Sequence, residues 1–116
     1  MKKYIIFCLL AISFSIQSFS QEDNSKKKNL KTTFWVNGQC DMCQARIQKA
    51  ALSTKGVKMA NWHIESEMLT VYYNQTKCSE NDIKRNIAAV GHDSEDVRAT
   101  DEAYNELHMC CLYERE

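Results

Sequence analysis

The sequence of 116 residues predicts an α+β fold with a single small domain. Between Lys31 and Ala99, short runs in which apolar and polar residues alternate are interrupted by two stretches whose apolar residues recur every three or four positions. Taken in order, these segments are strand, helix, strand, strand, helix and strand. The order predicts an antiparallel four-stranded sheet with two helices on one face.

The first strand and the first helix flank the segment GQCDMC, residues 38–43. Thr32, Phe34 and Val36 occupy alternate positions, as in a half-buried strand. After the loop, apolar residues at helical spacing define one helix face: Cys43, Ile47, Ala50 and Ala51. Gly56 suits the end of this helix.

The second half repeats the pattern, with a hairpin in front of the helix. Residues 57–64 and 68–73 predict two strands joined by the polar turn Glu65-Ser66-Glu67. Ser79, followed by Asp82, predicts a capped helix that continues to Gly91, and residues 95–99 predict the last strand. The complete βαββαβ order is that of the ferredoxin-like fold.

Both ends of the chain differ in composition from this domain, which spans residues 31–99. Residues 1–20 begin with two lysines, continue with a short apolar run and end in small residues, which predicts a signal peptide and hence a periplasmic or secreted protein. The apolar run is short for a membrane span, so the only membrane contact considered is an uncleaved signal. Residues 21–30 predict a flexible polar linker, and residues 100–116 form a cysteine-rich C-terminal tail.

Charge and cysteine content exclude some functions and favour others. The formal net charge is zero, which gives no indication of nucleic-acid binding. Six cysteines are present, and removal of the signal peptide takes Cys8 with it. The remaining number is odd, so an exported chain retains at least one thiol that is free, bound to a metal or joined to another molecule.

Cys40 and Cys43 are the predicted metal ligands. Thiolates are soft ligands that favour Cu(I), Hg(II), Cd(II) or Zn(II), and a separation of two residues lets both sulfur atoms converge on one ion. The helix N-terminus that follows stabilises thiolates. Because two ligands satisfy Cu(I) or Hg(II) but Zn(II) normally takes four, the pair favours Cu(I) and transfer of the ion by ligand exchange.

Three segments together resemble the heavy-metal-associated (HMA) domain family, which includes copper chaperones and periplasmic mercuric-ion-binding proteins. VNGQCDMCQARIQKAALSTKGV is similar to the family's strand, CxxC loop and helix, NWHIESEMLTVYYN to its hairpin, and DIKRNIAAVGHDSEDV to its second helix and last strand. The resemblance implies a non-enzymatic protein that binds a soft metal at Cys40 and Cys43. It also implies a partner that is a metal-transporting membrane protein or another metal-binding protein.

The chain departs from the family pattern at two places near the predicted site. Gly38-Gln39 directly precedes Cys40, where the family usually has a glycine, a methionine and one further residue, so the loop is shorter and lacks that methionine. His92 stands where the family often has an aromatic residue or lysine. This histidine is interpreted either as a third ligand or as a surface residue of the turn.

The tail adds further candidate ligands in the run His108-Met109-Cys110-Cys111. The predicted strand directions place His92 near Cys40 and Cys43, and Cys78 and the start of the tail at the opposite end of the domain. Two interpretations therefore stay open. His108, Cys110 and Cys111 bind metal, with the tail folding toward the CxxC loop, or Cys78 forms a disulfide with Cys110 or Cys111.

Two other functional classes remain alternatives to a metal carrier. Cys40 and Cys43 could form the redox pair of a thiol-disulfide oxidoreductase, although a chain without proline cannot supply the cis-proline that thioredoxin-like proteins place beside CxxC. The cysteines could also be purely structural parts of an adhesion or regulatory module. No other catalytic motif is present in the sequence.

Overall fold

A computed structural model describes residues 28–116 of the chain. Its strands and helices are β1 (Asn29–Trp35), α1 (Asp41–Ser53), β2 (Val57–Trp62), β3 (Met68–Asn74), α2 (Glu80–Ala89), α3 (Asp101–Asn105) and a 3₁₀ turn (Met109–Cys111). The predicted signal peptide and most of the predicted linker lie outside the described residues. The linker's last residues do not, and β1 already includes Asn29 and Leu30.

The sheet is antiparallel and has the order β1-β3-β2. Phe34 of β1 and Trp62 of β2 both pair with Leu69 of the central strand. All three side chains are completely buried, because the alternation along each strand directs them to the same face. The predicted hairpin and the predicted faces of these three strands are therefore confirmed.

The prediction of a fourth strand is wrong. The described residues form a three-stranded sheet, and residues 95–99 are not a strand. Only Val36 and Ser94 form a bridge beside β1. The chain then turns, because the Ser94 amide donates to the Val97 carbonyl at 2.9 Å. Beside β1, the Trp35 amide donates to the side chain of Glu95 at 3.2 Å, so a carboxylate takes the place of a strand carbonyl.

Both long helices contribute to one core against the sheet. Ile47 and Ala51 of α1 and Ile83 and Ile87 of α2 belong to the same buried cluster as the strand residues. Lys84 of α2 is also buried. Its ammonium group lies 4.9 Å from the centre of the Phe34 ring and 2.8 Å from Asp96 Oδ1, which joins α2 to the turn that replaces the fourth strand.

The helix ends follow from local sequence. Ser79 accepts a hydrogen bond from the Asp82 amide, and Asp82 accepts one from the Ser79 amide, which completes the predicted capping arrangement. After α1, Gly56 has φ +102°, a left-handed conformation that glycine adopts without steric cost. Among the described helices, none combines the length and the apolar character that crossing a membrane requires.

The start of the tail lies beside His92 and not at the opposite end of the domain, where the sequence placed it. The Ala99 amide donates to Asp93 Oδ1 at 2.7 Å. A side chain at Gly91 would come within 2.7 Å of the Ala103 carbonyl in α3. The predicted position assumed that residues 95–99 run the length of the sheet, whereas the turn returns the chain to the end at which it began.

Candidate metal centre

The loop before α1 rests on a buried tryptophan. A side-chain carbon at Gly38 would lie 3.1 Å from both Cys43 Cβ and the Trp62 ring, so these neighbours would have to shift to accommodate one. The Trp62 indole NH donates to the Val36 carbonyl at 3.0 Å. Gln44 and Gln48 of α1 hydrogen-bond to the backbone of Trp62 and fix the helix against the end of β2. The backbone of the loop therefore lies directly against Trp62.

Cys40 and Cys43 converge as the sequence predicts. Their Sγ atoms are 3.2 Å apart, with Cys40 partly exposed at the N-cap of α1 and Cys43 buried in its first turn. Partial burial raises the pKa of Cys40, but hydrogen bonds from Cys111, Cys43 and the Cys43 amide outweigh it and lower the pKa to about 7. Burial raises the pKa of Cys43. The Cys40 thiol therefore ionises near neutral pH, and the Cys43 thiol is buried beside it.

The two tail cysteines lie against Cys40. Cys111 Sγ is 3.1 Å and Cys110 Sγ is 3.6 Å from Cys40 Sγ. The sulfur atoms of Cys40, Cys110 and Cys111 all lie within 4.8 Å of one another, a spacing that could hold a metal ion. We call Cys40, Cys43, Cys110 and Cys111 the sulfur cluster.

Two residues of the loop and helix that sequence reasoning did not select also contact the tail. Met42 Sδ lies 3.4 Å from Cys110 Sγ. The Gln39 side-chain amide donates to the Cys110 carbonyl at 2.8 Å. The position of Met42 within CDMC offered a signal for the first, since a thioether is a soft donor. Nothing in the sequence distinguished Gln39.

His92 is buried, so its interpretation as a surface turn residue is wrong. Its Nδ1 donates to the Asn37 carbonyl at 2.8 Å, and its ring stacks on Tyr113 at a centroid distance of 5.5 Å. Burial lowers the pKa of His92 and keeps the ring neutral. Its Nε2 has no partner among the described residues. His92 does not belong to the group formed by Cys40, Cys110 and Cys111, and it joins the loop before Cys40 to the tail.

The other sequence candidates separate in the structure. His108 is exposed beside the 3₁₀ turn and does not belong to the group formed by Cys40, Cys110 and Cys111. Cys78 contacts the Asn74 carbonyl and faces Gly56, at the C-terminal end of α1. The 13 residues of α1 separate that end from Cys40 by about 20 Å. The disulfide from Cys78 to Cys110 or Cys111 is not formed, and all five described cysteines are free.

An ion pair and a tyrosine hold the tail in place. Arg115 donates to both carboxylate oxygens of Asp93, each at 2.9 Å, and to the Ala99 carbonyl. The Tyr113 hydroxyl donates to the Gly91 carbonyl at 2.7 Å and accepts from the Asp93 amide at 2.9 Å. These contacts follow the cysteine pair in sequence, so the pair is fixed from its C-terminal side.

Comparison with solved structures finds neighbours that share this fold. A CopZ metallochaperone has a TM-score of 0.55 at 24% identity, over 57% of this chain and 100% of its own. Oxidized MerP from Ralstonia metallidurans CH34 has a TM-score of 0.56 at 24% identity, over 58% and 94%. The N-terminal domain of a potential copper-translocating P-type ATPase from Bacillus subtilis, solved in the Cu(I)-loaded state, has a TM-score of 0.53 at 27% identity, over 62% and 98%.

Each neighbour is matched over nearly its whole length, whereas this chain has further residues outside the match. No protein-family model matches the sequence, and neither does any curated protein. The solved neighbours, the antiparallel sheet and the CxxC loop at the start of α1 confirm the resemblance that the sequence indicates: the chain has the fold of the heavy-metal-associated domains.

Proposed function

We propose that the protein binds a soft metal ion at Cys40 and Cys43 and passes it on by ligand exchange. The observation that carries the proposal is the convergence of the two sulfur atoms, 3.2 Å apart, at the N-terminus of α1. Cys40 is the accessible ligand and Cys43 the buried one. An incoming thiolate can therefore replace Cys40 first while Cys43 still holds the ion.

Ligand chemistry limits the choice of ion. Sulfur donors favour Cu(I), Hg(II), Cd(II) and Zn(II) over Mg(II) or Ca(II). We propose Cu(I) as the principal ion, because the CxxC pair satisfies its low coordination number. The neighbouring structures include a copper-binding domain and a Cu(I)-loaded domain, which supports the choice by analogy of fold.

The proposed partner is a metal-transporting membrane protein or another metal-binding protein. Ligand exchange requires a thiol on the partner to approach Cys40, which is partly exposed at the start of α1, between exposed Gln39 and exposed Met42. No step in this exchange makes or breaks a covalent bond of a substrate. We therefore propose a binding protein and not an enzyme.

We also propose that the protein is exported, with residues 1–20 as a cleaved signal peptide and the polar residues after them as a linker that ends before β1. The support is the order of lysines, apolar run and small residues in the sequence. The mass of the protein recovered from the host's periplasm or medium tests this. A mass that still includes residues 1–20 would contradict cleavage.

Native mass spectrometry of the reduced protein, titrated separately with Cu(I), Zn(II) and Hg(II), tests the binding proposal. We expect uptake of Cu(I) or Hg(II) that is lost in the double variant Cys40→Ser/Cys43→Ser. Cys78→Ser is the matched control, because Cys78 is a buried thiol at the other end of α1, and it should bind as the unmodified protein does. Equal uptake by the double variant would overturn the proposal.

One observation favours thiol-disulfide exchange as a second candidate function. A thiolate with a pKa lowered to about 7 lies 3.2 Å from a second sulfur, as a redox pair requires. In that reaction Cys40 attacks a substrate disulfide, and Cys43 then displaces the reduced substrate thiol and leaves a Cys40–Cys43 disulfide. Reduction of insulin by the metal-free protein, together with no uptake of Cu(I), would favour this function.

A further inference from the structure

Cys110 and Cys111 are held in place by contacts of the residues that precede them and of the residues that follow them in the tail. On the N-terminal side, Leu107 is buried and packs against Gly91. On the C-terminal side, Tyr113 is 2% exposed, and Arg115 pairs with buried Asp93. The positions of Cys110 and Cys111 are therefore fixed by contacts of the tail with the domain and do not depend on a bound ion.

The 3₁₀ turn directs both thiols toward the CxxC loop. The Cys111 amide donates to the His108 carbonyl at 2.7 Å and closes the turn. The Cys110 carbonyl is held by the Gln39 side chain. With the backbone fixed in this way, Met109 points away from the cluster and is 88% exposed, while Cys111 is completely buried.

The distances within the sulfur cluster fit a site with several ligands better than a linear one. At a metal-sulfur bond length of about 2.3 Å, sulfur atoms lie about 3.8 Å apart around a tetrahedral ion and about 4.6 Å apart across a linear one. Cys43 does not belong to the group whose sulfur atoms all lie within 4.8 Å of one another, which consists of Cys40, Cys110 and Cys111. Four of the six separations within the cluster are 3.2 Å for Cys40–Cys43, 3.1 Å for Cys40–Cys111, 3.6 Å for Cys40–Cys110 and 3.9 Å for Cys110–Cys111. Each is nearer to the tetrahedral value.

Cys110 and Cys111 contact the cluster in different ways. Cys111 is buried, and its sulfur atom lies 3.1 Å from Cys40 Sγ. Cys110 is exposed, and its sulfur lies near Cys40 and the Met42 thioether. Cys111 therefore completes the interior of the cluster, and Cys110 closes its solvent side.

We propose that the tail supplies two further thiolate ligands, Cys111 as the third and Cys110 as the fourth, to the ion held by Cys40 and Cys43. This inference rests on the proposed function and specifies its ligand set. A four-thiolate site accepts Zn(II) or Cd(II) with a complete shell and surrounds Cu(I) with more sulfur than the CxxC pair provides. Release to a partner then requires the ion to leave the two tail thiols as well as Cys40 and Cys43.

Cadmium binding tests the ligand set, because the ultraviolet sulfur-to-cadmium absorption grows with the number of bound thiolates. One equivalent of Cd(II) is added to the reduced protein and to three variants: Cys110→Ser, Cys111→Ser and the double variant of both. We expect the absorption to fall by about a quarter in each single variant and by about half in the double variant, as four ligands become three and two. Cys78→Ser is the control and should keep the full absorption.

Competition with a chelator supplies a second readout. Cys111→Ser should lose more cadmium affinity than Cys110→Ser, since Cys111 lies in the interior of the cluster. Because Cys110 is exposed, Cys110→Ser is expected to fold and keeps the inference testable even if Cys111→Ser does not fold.

Each result has a distinct meaning for the two proposals. If the double tail variant absorbs as the unmodified protein does, the tail cysteines are not ligands and the inference is overturned, while the proposed function stands. If the unmodified protein takes up no Cd(II), Cu(I) or Hg(II), the proposed function fails as well.

Discussion

At the scale of single residues, Tyr113 and Asp93 determine whether the tail stays on the domain. The Tyr113 hydroxyl donates a hydrogen bond to the Gly91 carbonyl and accepts one from the Asp93 amide. Tyr113 and Asp93 are both buried. The Asp93 carboxylate accepts hydrogen bonds from Arg115 and from the Ala99 amide. Neither residue belongs to the sulfur cluster, yet both position the segment that carries Cys110 and Cys111.

Removal of one hydroxyl group tests the role of Tyr113. Tyr113→Phe keeps the ring stacked on His92 but leaves the Gly91 carbonyl and the Asp93 amide without a partner. We expect a loss of about 1–3 kcal/mol in the free energy of unfolding, measured by urea denaturation. The matched control is Tyr72→Phe at an exposed site, which should change stability by less than about 0.5 kcal/mol. Equal losses in both variants would argue against the two hydrogen bonds.

The pH dependence of stability tests Asp93. Burial raises the pKa of Asp93, but hydrogen bonds from Arg115 and the Ala99 amide outweigh it and hold the pKa below its ordinary value. A carboxyl group with a lowered folded pKa stabilises the fold fully above its unfolded pKa and loses that contribution as the pH falls through the folded value.

We therefore expect the free energy of unfolding of the unmodified protein to fall below about pH 4, and that of Asp93→Asn to depend less on pH there. At neutral pH the variant should be less stable, because half-buried Arg115 loses its pairing with the buried Asp93 carboxylate and keeps only that with exposed Asp101. Urea denaturation between pH 2 and about 7 measures both effects. Glu65→Gln, in the exposed turn between β2 and β3, is the control; a pH dependence altered as much as in Asp93→Asn would contradict this account.

At the scale of elements, α3 and the 3₁₀ turn take a position that depends on Gly91. This glycine has φ +103°, and a side-chain carbon there would lie 2.7 Å from the Ala103 carbonyl and 3.0 Å from Leu107. Gly56 has nearly the same φ, +102°, but its close contact is with Lys77, far from the tail. The two glycines thus carry the same backbone strain when substituted but have different neighbours.

Alanine at these two positions separates backbone strain from tail displacement. Gly91→Ala and Gly56→Ala should each lose roughly 1–3 kcal/mol of stability from the left-handed backbone. Only Gly91→Ala should also displace α3 and expose the Cys111 thiol. The measurement is the rate of alkylation of Cys111, followed by peptide mass spectrometry under native conditions. A rate that is equally raised in both variants would show that the Gly91 contact does not hold the tail.

Most of the elements could be predicted because their signals are local. The alternation in β1 and β3, the helical spacing in α1 and α2, and the Ser79 cap each depend on residues within one segment. The fourth strand could not be predicted correctly, since Ser94 and Val97 close a turn and a Glu95 side chain occupies the β1 hydrogen bond.

The candidate site could be predicted only in part, for a similar reason. Cys40 and Cys43 are separated by two residues, so their convergence follows from one helical turn. The approach of Cys110 and Cys111 depends on Asp93 pairing with Arg115, a contact between residues 22 positions apart. A run of charged residues at the end of a chain gives no indication of such a pairing, so the sequence left two interpretations of the tail open.

At the scale of the whole molecule, the tail belongs to the core of the domain. Leu107, Cys111 and Tyr113 lie in the same buried cluster as Phe34 and Trp62. A segment that shares a core with the sheet should lose its structure together with the sheet and not before it.

Unfolding in urea should therefore be a single transition for both parts. The domain is followed by the fluorescence of Trp35 and Trp62, and the tail by brief alkylation of Cys111 at each urea concentration. We expect the two midpoints to coincide. Reactivity of Cys111 that rises at a lower urea concentration than the fluorescence change would show that the tail opens independently.

The central claim is that the tail encloses the metal at the CxxC loop, and the number of sulfur atoms around copper tests it most directly. X-ray absorption at the copper edge, recorded on the reduced protein with one equivalent of Cu(I), gives this number. We expect at least three sulfur ligands, which fall to two in the Cys110→Ser/Cys111→Ser variant. Two sulfur ligands in near-linear arrangement in the unmodified protein would contradict it.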